Sequence, residues 1–220
     1  MKSSNTTTHI PSGYFVSGIG TEVGKTVASA VLVKALAAHY WKPVQAGDLH
    51  HTDTDKVSQW AAHPDFHAYP EGYRLNTPAS PHAAAAIDGL EIQLSDFHLP
   101  QSPRTLIVEG AGGLMVPLND RDCIIDLMVQ LQLPVILVSR NYLGSINHSL
   151  LSIEALRVRQ LNIAGVLFNG PEVKTTQEVI AKQTGIKVLG RIEELETVSA
   201  ASVARAAAAL RETLYTEFVQ

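Results

Sequence analysis

The sequence predicts an α/β protein: a doubly wound, mostly parallel sheet flanked by helices in a three-layer α/β/α arrangement of the P-loop NTPase type. Three observations lead there. Short runs rich in Val, Ile and aromatics alternate with stretches of helical periodicity along the whole chain. Fully apolar runs such as Pro134-Val-Ile-Leu-Val-Ser139 suit strands buried on both faces, as in a parallel sheet covered by helices. At the first strand-to-helix junction stands GIGTEVGKT (Gly18 to Thr26), a glycine-rich turn that opens a helix with Gly-Lys-Thr, the context a P-loop requires.

Taken in order, the apolar run YFVS gives a strand over 14–17, and Lys25 onward has helical periodicity to residue 38. HYWKPV gives a strand over 39–44, followed by a helix over 54–62. Residues 45–103 are the least regular part, although ASPHAAAA can start a helix behind Pro81. Beyond them, strands are expected over 105–109, 135–139, 164–169 and 187–190, with helices over 124–131, 146–161, 175–184 and 199–214. No internal repeat or linker divides the chain, so residues 1–220 are read as one P-loop domain, with 1–12 a loose tail.

At 220 residues there is room for one substantial core and little room for a second domain. The net charge of -4 gives no basic footprint for nucleic acid. A single cysteine, Cys123, excludes an internal disulfide and a thiolate zinc site, which fits a reducing cytoplasm. No signal-peptide core or membrane-length apolar run is present, so no membrane partner is expected.

In such sheets ligands gather at the carboxyl ends of the strands. Backbone N–H groups of Gly20, Thr21, Glu22, Val23 and Gly24 in the turn, and of Lys25, Thr26 and Val27 in the first helical turn, would face phosphate oxygens. Lys25 would reach the β and γ phosphates, and the Thr26 hydroxyl would ligate Mg²⁺. The spacing is unusual: Gly18 and Gly24 enclose five residues where four are usual. In the second junction, LIVEGAGG, an apolar strand ends in Glu109, the place from which an acid holds magnesium; Gly110, Gly112 and Gly113 would allow close backbone approach. In DTD, Asp53 can cap the next helix or join the metal group, and the P-loop shifts the balance toward Asp55 as the metal acid. Lys42, a cation in an apolar run, either snorkels to solvent or faces the phosphate site. Asn169 ends a strand either as a plain turn residue or as a reader of adenine N6 and N7. The adjacent His50 and His51 lack a suitably spaced third ligand, and Cys123 reads as a small buried residue.

GIGTEVGKT, YWKPVQAG, DTDK, SPHAAAA, LIVEGAGGLMVPL, LPVILVSRNYLGSINHSLL and GVLFN occur in an order that resembles the dethiobiotin synthetase family, over about residues 14–191. That family's P-loop itself has five residues between its glycines. The resemblance implies an ATP- and Mg²⁺-dependent cyclo-ligase: 7,8-diaminononanoate, CO₂ (or bicarbonate) and ATP would give dethiobiotin, ADP and phosphate through a carbamate and a carbamic-phosphoric anhydride. It further implies that Lys25, Lys42 and Thr21 serve the carbamate and the transferring phosphoryl group. Thr26, Asp55 and Glu109 would arrange magnesium, Glu22 would act through its backbone, and Asn169 would read adenine. Gly112 and Gly113 would border the substrate. Leu143, Gly144, Ser145, Ile146 and Asn147 would offer helix-start amides to its carboxylate from the other subunit of a homodimer.

Three departures from the family pattern stand out: Ile19-Gly20 where Thr-Asp is common, Ala46 where a hydroxyl residue is usual, and Glu193 in place of a proline. Alternative readings are a partitioning or division-site nucleotide-switch ATPase, a cobalamin amidoligase, and a non-catalytic nucleotide-binding protein. The first would carry another lysine near the start of the P-loop, and Gly18 to Val23 has none; the second needs a glutaminase domain for which there is no room.

Overall fold

In a computed structural model, residues 13–218 are described; the tail expected over 1–12 lies outside them. The first half of the chain runs β1 (Gly13–Gly18), α1 (Lys25–Leu36), β2 (His39–Trp41), β3 (Val44–Ala46), α2 (Asp53–Ala61), β4 (Ala68–Tyr69), β5 (Tyr73–Leu75) and α3 (Pro81–Ile87). The second half runs β6 (Leu106–Gly113), α4 (Ile124–Leu131), β7 (Val135–Arg140), α5 (Ser145–Val158), β8 (Ile163–Asn169), α6 (Lys174–Thr184), β9 (Val188–Ile192) and α7 (Ala200–Phe218).

Seven strands form one parallel sheet in the order β4-β2-β6-β1-β7-β8-β9. Phe15, Val16, Ile107, Val108, Ile136, Leu137, Val166 and Leu167 are wholly buried, which is why these strands read as unbroken apolar runs rather than alternating ones. Helices α1, α2 and α7 pack together, while α5 packs with α6 and against β7. Helix α1 is apolar on nearly all sides because α2 and α7 cover it away from the sheet.

The strand expected over 39–44 is two strands in two sheets. Pro43 has no N–H for a ladder, and its carbonyl instead accepts from Gly72 and Tyr73 N–H (2.9 and 3.0 Å). Upstream, β2 lies beside β6; downstream, β3 pairs with β5 in a separate two-stranded sheet. Lys42 therefore stands where the chain leaves one sheet for another. The strand expected to end at Glu109 continues to Gly113, which pairs with Gly18 across a register irregularity. Among the described residues, no helix is long and apolar enough to cross a membrane.

Candidate active site

The P-loop leaves β1 at Gly18 and enters α1 at Lys25. Its conformation depends on two left-handed residues, Glu22 (φ 58°) and Gly24 (φ 87°). A Cβ at position 24 would collide with the Asn169 amide, so glycine is required there on both counts. The Glu22 side chain is exposed and makes no hydrogen bond among the described residues, so the residue's contribution to the loop is its backbone. Lys25 Nζ donates to the Gly20 carbonyl at 3.1 Å. Burial lowers its pKa to about 8, partly opposed by the carboxylates of Glu109 and Asp53 and reinforced by Lys42.

Glu109, itself buried, gathers three donors. Thr26 Oγ1 (2.9 Å) and Lys42 Nζ (3.1 Å) donate to its Oε1, while the Tyr40 hydroxyl donates to Oε2 at 2.8 Å. Lys42 is also buried and does not snorkel. Its ammonium lies between Glu109 and Asp53 Oδ2, the latter at 2.8 Å. Burial alone would lower the Lys42 pKa, but the two carboxylates outweigh it and raise the value, so the cation is kept.

The aspartate at this cluster is Asp53, not the Asp55 favoured from the sequence. Thr52 caps α2, and Asp55, three residues on, accepts from Thr52 N (2.8 Å) and Thr52 Oγ1 (2.8 Å) to complete a capping box. Its carboxylate is committed to the helix terminus. Asp53 meets Lys42 and Lys56 (3.2 Å) instead. Burial works to raise its pKa, yet the two lysines bring it down to about 2. The signal was in the sequence: Thr52-x-x-Asp55 is the capping-box spacing, which leaves Asp53 free.

Lys25, Thr26, Lys42, Asp53 and Glu109 line one cavity of about 820 Å³, together with Thr21, Gly112 and Lys56. Trp60 and the segment Pro78 to Pro81 close it; Ser80 and Pro81 open the SPHAAAA motif, for which the sequence alone suggests no part in the site. Among the described residues, no histidine or cysteine lines it. Oxygen donors from Thr26, Asp53 and Glu109 suit a hard divalent cation that takes its remaining ligands from phosphate and water. Among the described residues no group of three or more His, Cys, Asp or Glu forms a self-sufficient metal cage.

Gly113 brings β6 against the P-loop: a Cβ there would lie 3.3 Å from Gly20 Cα. Beside this contact a smaller cavity of about 280 Å³ opens between the P-loop and α5, lined mainly by Ile19, Leu114, Met115, Val116, Leu151 and Ala155. Leu143, Gly144, Ser145, Ile146 and Asn147 line neither cavity; Leu143 is fully exposed at the start of α5.

Asn169 lies at the other end of the P-loop, its Nδ2 donating to the Val23 carbonyl at 3.0 Å. Only the amide nitrogen can donate to a carbonyl, so this bond fixes the side-chain orientation and leaves Oδ1 as the open acceptor. One donor of the expected N6/N7 pair is thereby tied to the loop. Around it, Arg140 pairs with Glu194 (2.9 Å), and Arg191 donates to the Gly170 carbonyl (3.1 Å) and meets Glu193 at 3.5 Å.

Comparisons with known proteins identify the family and the fold. A family model described as an AAA domain matches residues 12–202. The ATP-dependent dethiobiotin synthetase BioD of Christiangramia forsetii is 53% identical over 84% of this chain and 89% of its own length. The enzyme of the same name from Cytophaga hutchinsonii is 44% identical over 92% of this chain and 98% of its own length. Solved structures with the same fold include a ParA family ATPase from Chlorobium tepidum (TM-score 0.53, 13% identity, 94% of this chain and 98% of that one). Another is a plasmid partition protein from Borrelia burgdorferi bound to AMPPNP (TM-score 0.58, 12% identity, 95% and 98%). At those identities the likeness is one of fold, whereas the sequence relatives extend over nearly the whole chain: it belongs to the ATP-dependent dethiobiotin synthetase family.

Proposed function

We propose that this chain closes the ureido ring of dethiobiotin, a C–N bond-forming step of biotin biosynthesis, using 7,8-diaminononanoate, CO₂ and ATP. The observation that carries this reading is the buried Lys42 ammonium, held by Glu109 and Asp53 in the same cavity as the P-loop lysine. A simple nucleotide-binding turn has no use for it. A reaction that builds charge on a carbamate and a transferring phosphoryl group does.

One substrate amine adds to CO₂ and loses a proton, giving a carbamate. A carbamate oxygen attacks the γ-phosphorus, the bond to the β-phosphate oxygen breaks and ADP leaves. The second amine then attacks the carbonyl carbon of the carbamic-phosphoric anhydride, the C–O bond to phosphate breaks, and the ring closes as phosphate and a proton depart. No protein nucleophile is required. Lys25 and Lys42 stabilise the charge that moves between carbamate and phosphate, and Thr21, beside them in the cavity wall, orients the carbamate. Thr26, Asp53 and Glu109 would hold magnesium, which when bound neutralises charge on the β and γ phosphates. The open Oδ1 of Asn169 accepts from the 6-amino group of adenine, where guanine presents a carbonyl oxygen, favouring adenine over guanine.

The apolar cavity beside Gly20 and Gly113 accepts the aliphatic chain of the substrate. Met115 and Leu151 are exposed on its wall, and Leu143 and Ile146 are exposed at the start of α5, apolar surface that a second copy of the chain would cover. In such a homodimer the amides at the start of the partner's α5 face the substrate carboxylate. The test is ADP release with ATP and Mg²⁺, with and without diaminononanoate plus bicarbonate, alongside mass detection of dethiobiotin. Release that needs both substrates and matches product is expected; substrate-independent hydrolysis would point to a switch ATPase instead.

A further inference from the structure

Tyr40 is the one partner of Glu109 to which the reaction above gives no part. It lies on β2, wholly buried, and its hydroxyl donates to Glu109 Oε2 at 2.8 Å. The other carboxylate oxygen, Oε1, receives Thr26 and Lys42, the two donors that also line the cavity. The two oxygens of Glu109 thus face different surroundings. Phenylalanine would fill the same space between β6 and β4, so packing does not call for the hydroxyl, and a phenol oxygen buried here is costly unless it is bonded. As a neutral donor it fixes the carboxylate without cancelling its charge.

We propose that Tyr40 is a positioning residue that holds Glu109 Oε2, leaves a single Glu109 oxygen for the divalent cation, and so favours magnesium over calcium. Mg²⁺ binds in a tight octahedron, keeps several waters and takes carboxylates through one oxygen. Ca²⁺ takes six to eight oxygens and often both of one carboxylate. A carboxylate tethered through Oε2 cannot turn to present both. The inference rests on Glu109 belonging to the metal group.

The experiment measures Mn²⁺ binding, by electron paramagnetic resonance, to the full-length protein with a non-hydrolysable ATP analogue, and then displacement of Mn²⁺ by Mg²⁺ or Ca²⁺. In Tyr40→Phe, Mn²⁺ affinity should fall roughly tenfold, the low end for losing an outer partner of a metal ligand, and Ca²⁺ should become the better competitor relative to Mg²⁺. Metal-free binding of the analogue and the melting temperature should hardly move, which separates positioning from a structural role. Wild-type affinity and wild-type Mg²⁺/Ca²⁺ preference in Tyr40→Phe would overturn the proposal. Glu109→Gln keeps the two levels apart. If it binds Mn²⁺ normally, the metal reading itself fails; if it loses Mn²⁺ while Tyr40→Phe does not, only the role of Tyr40 fails. Should Tyr40→Phe not fold, the wild type still decides: Ca²⁺ displacing Mn²⁺ as readily as Mg²⁺ does would overturn the proposal.

Discussion

The two ends of the nucleotide site are built differently. At the phosphate end buried Lys42 and Glu109 and part-buried Asp53 form a network in which each charge has an opposite partner within 3.1 Å. At the proposed base end, the Arg140–Glu194 and Arg191–Glu193 pairs are largely exposed, and one buried amide, Asn169, is the group proposed to make the specific contact. Exposed pairs contribute little and are screened by salt, whereas a buried network is lost as a unit when one member goes. In the proposed reaction, chemistry is therefore fixed rigidly at one end, while nucleotide choice rests on a few weaker contacts at the other.

The largest effect should come from Lys42→Ala, with kcat falling on the order of 10² to 10³ as charge stabilisation at the transferring group is lost. Single-turnover phosphate release would measure it, and full turnover would remove Lys42 from the mechanism. Next comes a contrast within α2. Asp53→Asn should lower Mg²⁺-dependent activity about 10- to 100-fold, since it touches the group proposed to hold the metal. Asp55→Ala should leave kcat near wild type but cost about 1 kcal/mol of stability, a melting shift of roughly 2–4 °C. Equal activity losses in the two would erase the distinction between site and cap.

At the base end the expected change is smaller. Asn169→Ala should raise KM for ATP about two- to tenfold, the size of one neutral hydrogen bond, and narrow the preference for ATP over GTP. An unchanged preference would place base selection in the loop after β9. The subtlest effect is protonic. Lys25 titrates at about 8 in the fold against an ordinary value of 10.5, so the unfolded chain binds more protons between those pH values and this group makes the fold more stable as pH rises across that window. Bound phosphate favours the charged lysine, so nucleotide binding at pH 8 should take up about half a proton, seen by calorimetry in buffers of different ionisation enthalpy. No uptake would mean that Lys25 is already fully protonated.

What the sequence made legible follows the same division. The P-loop could be read because its glycines, Lys25 and Thr26 are contiguous, and Glu109 because it ends an apolar run. The Lys42–Glu109 contact joins residues 67 apart, and no local pattern announces it. Tyr40 had no signal at all, since a tyrosine in a buried strand looks like packing. Asp55 drew attention through D-x-D, although the Thr52 spacing pointed to a cap. Strands β4 and β5 are two and three residues long, too short to show a period, and the Pro43 break sent half of a continuous apolar run into another sheet.

The lining of the phosphate cavity sets how nucleotide arrives. Among the described residues of its lining, three lysines (Lys25, Lys42, Lys56) stand against four carboxylates (Glu22, Asp48, Asp53, Glu109), so this lining is not electropositive. A bare nucleoside triphosphate gains nothing from it at long range. Attraction begins at contact, where Lys25 and Thr26 stand on the cavity wall, and the species best matched to such a surface carries its own divalent counter-charge. Capture should therefore depend little on ionic strength, unlike that of proteins which funnel anions down a positive gradient.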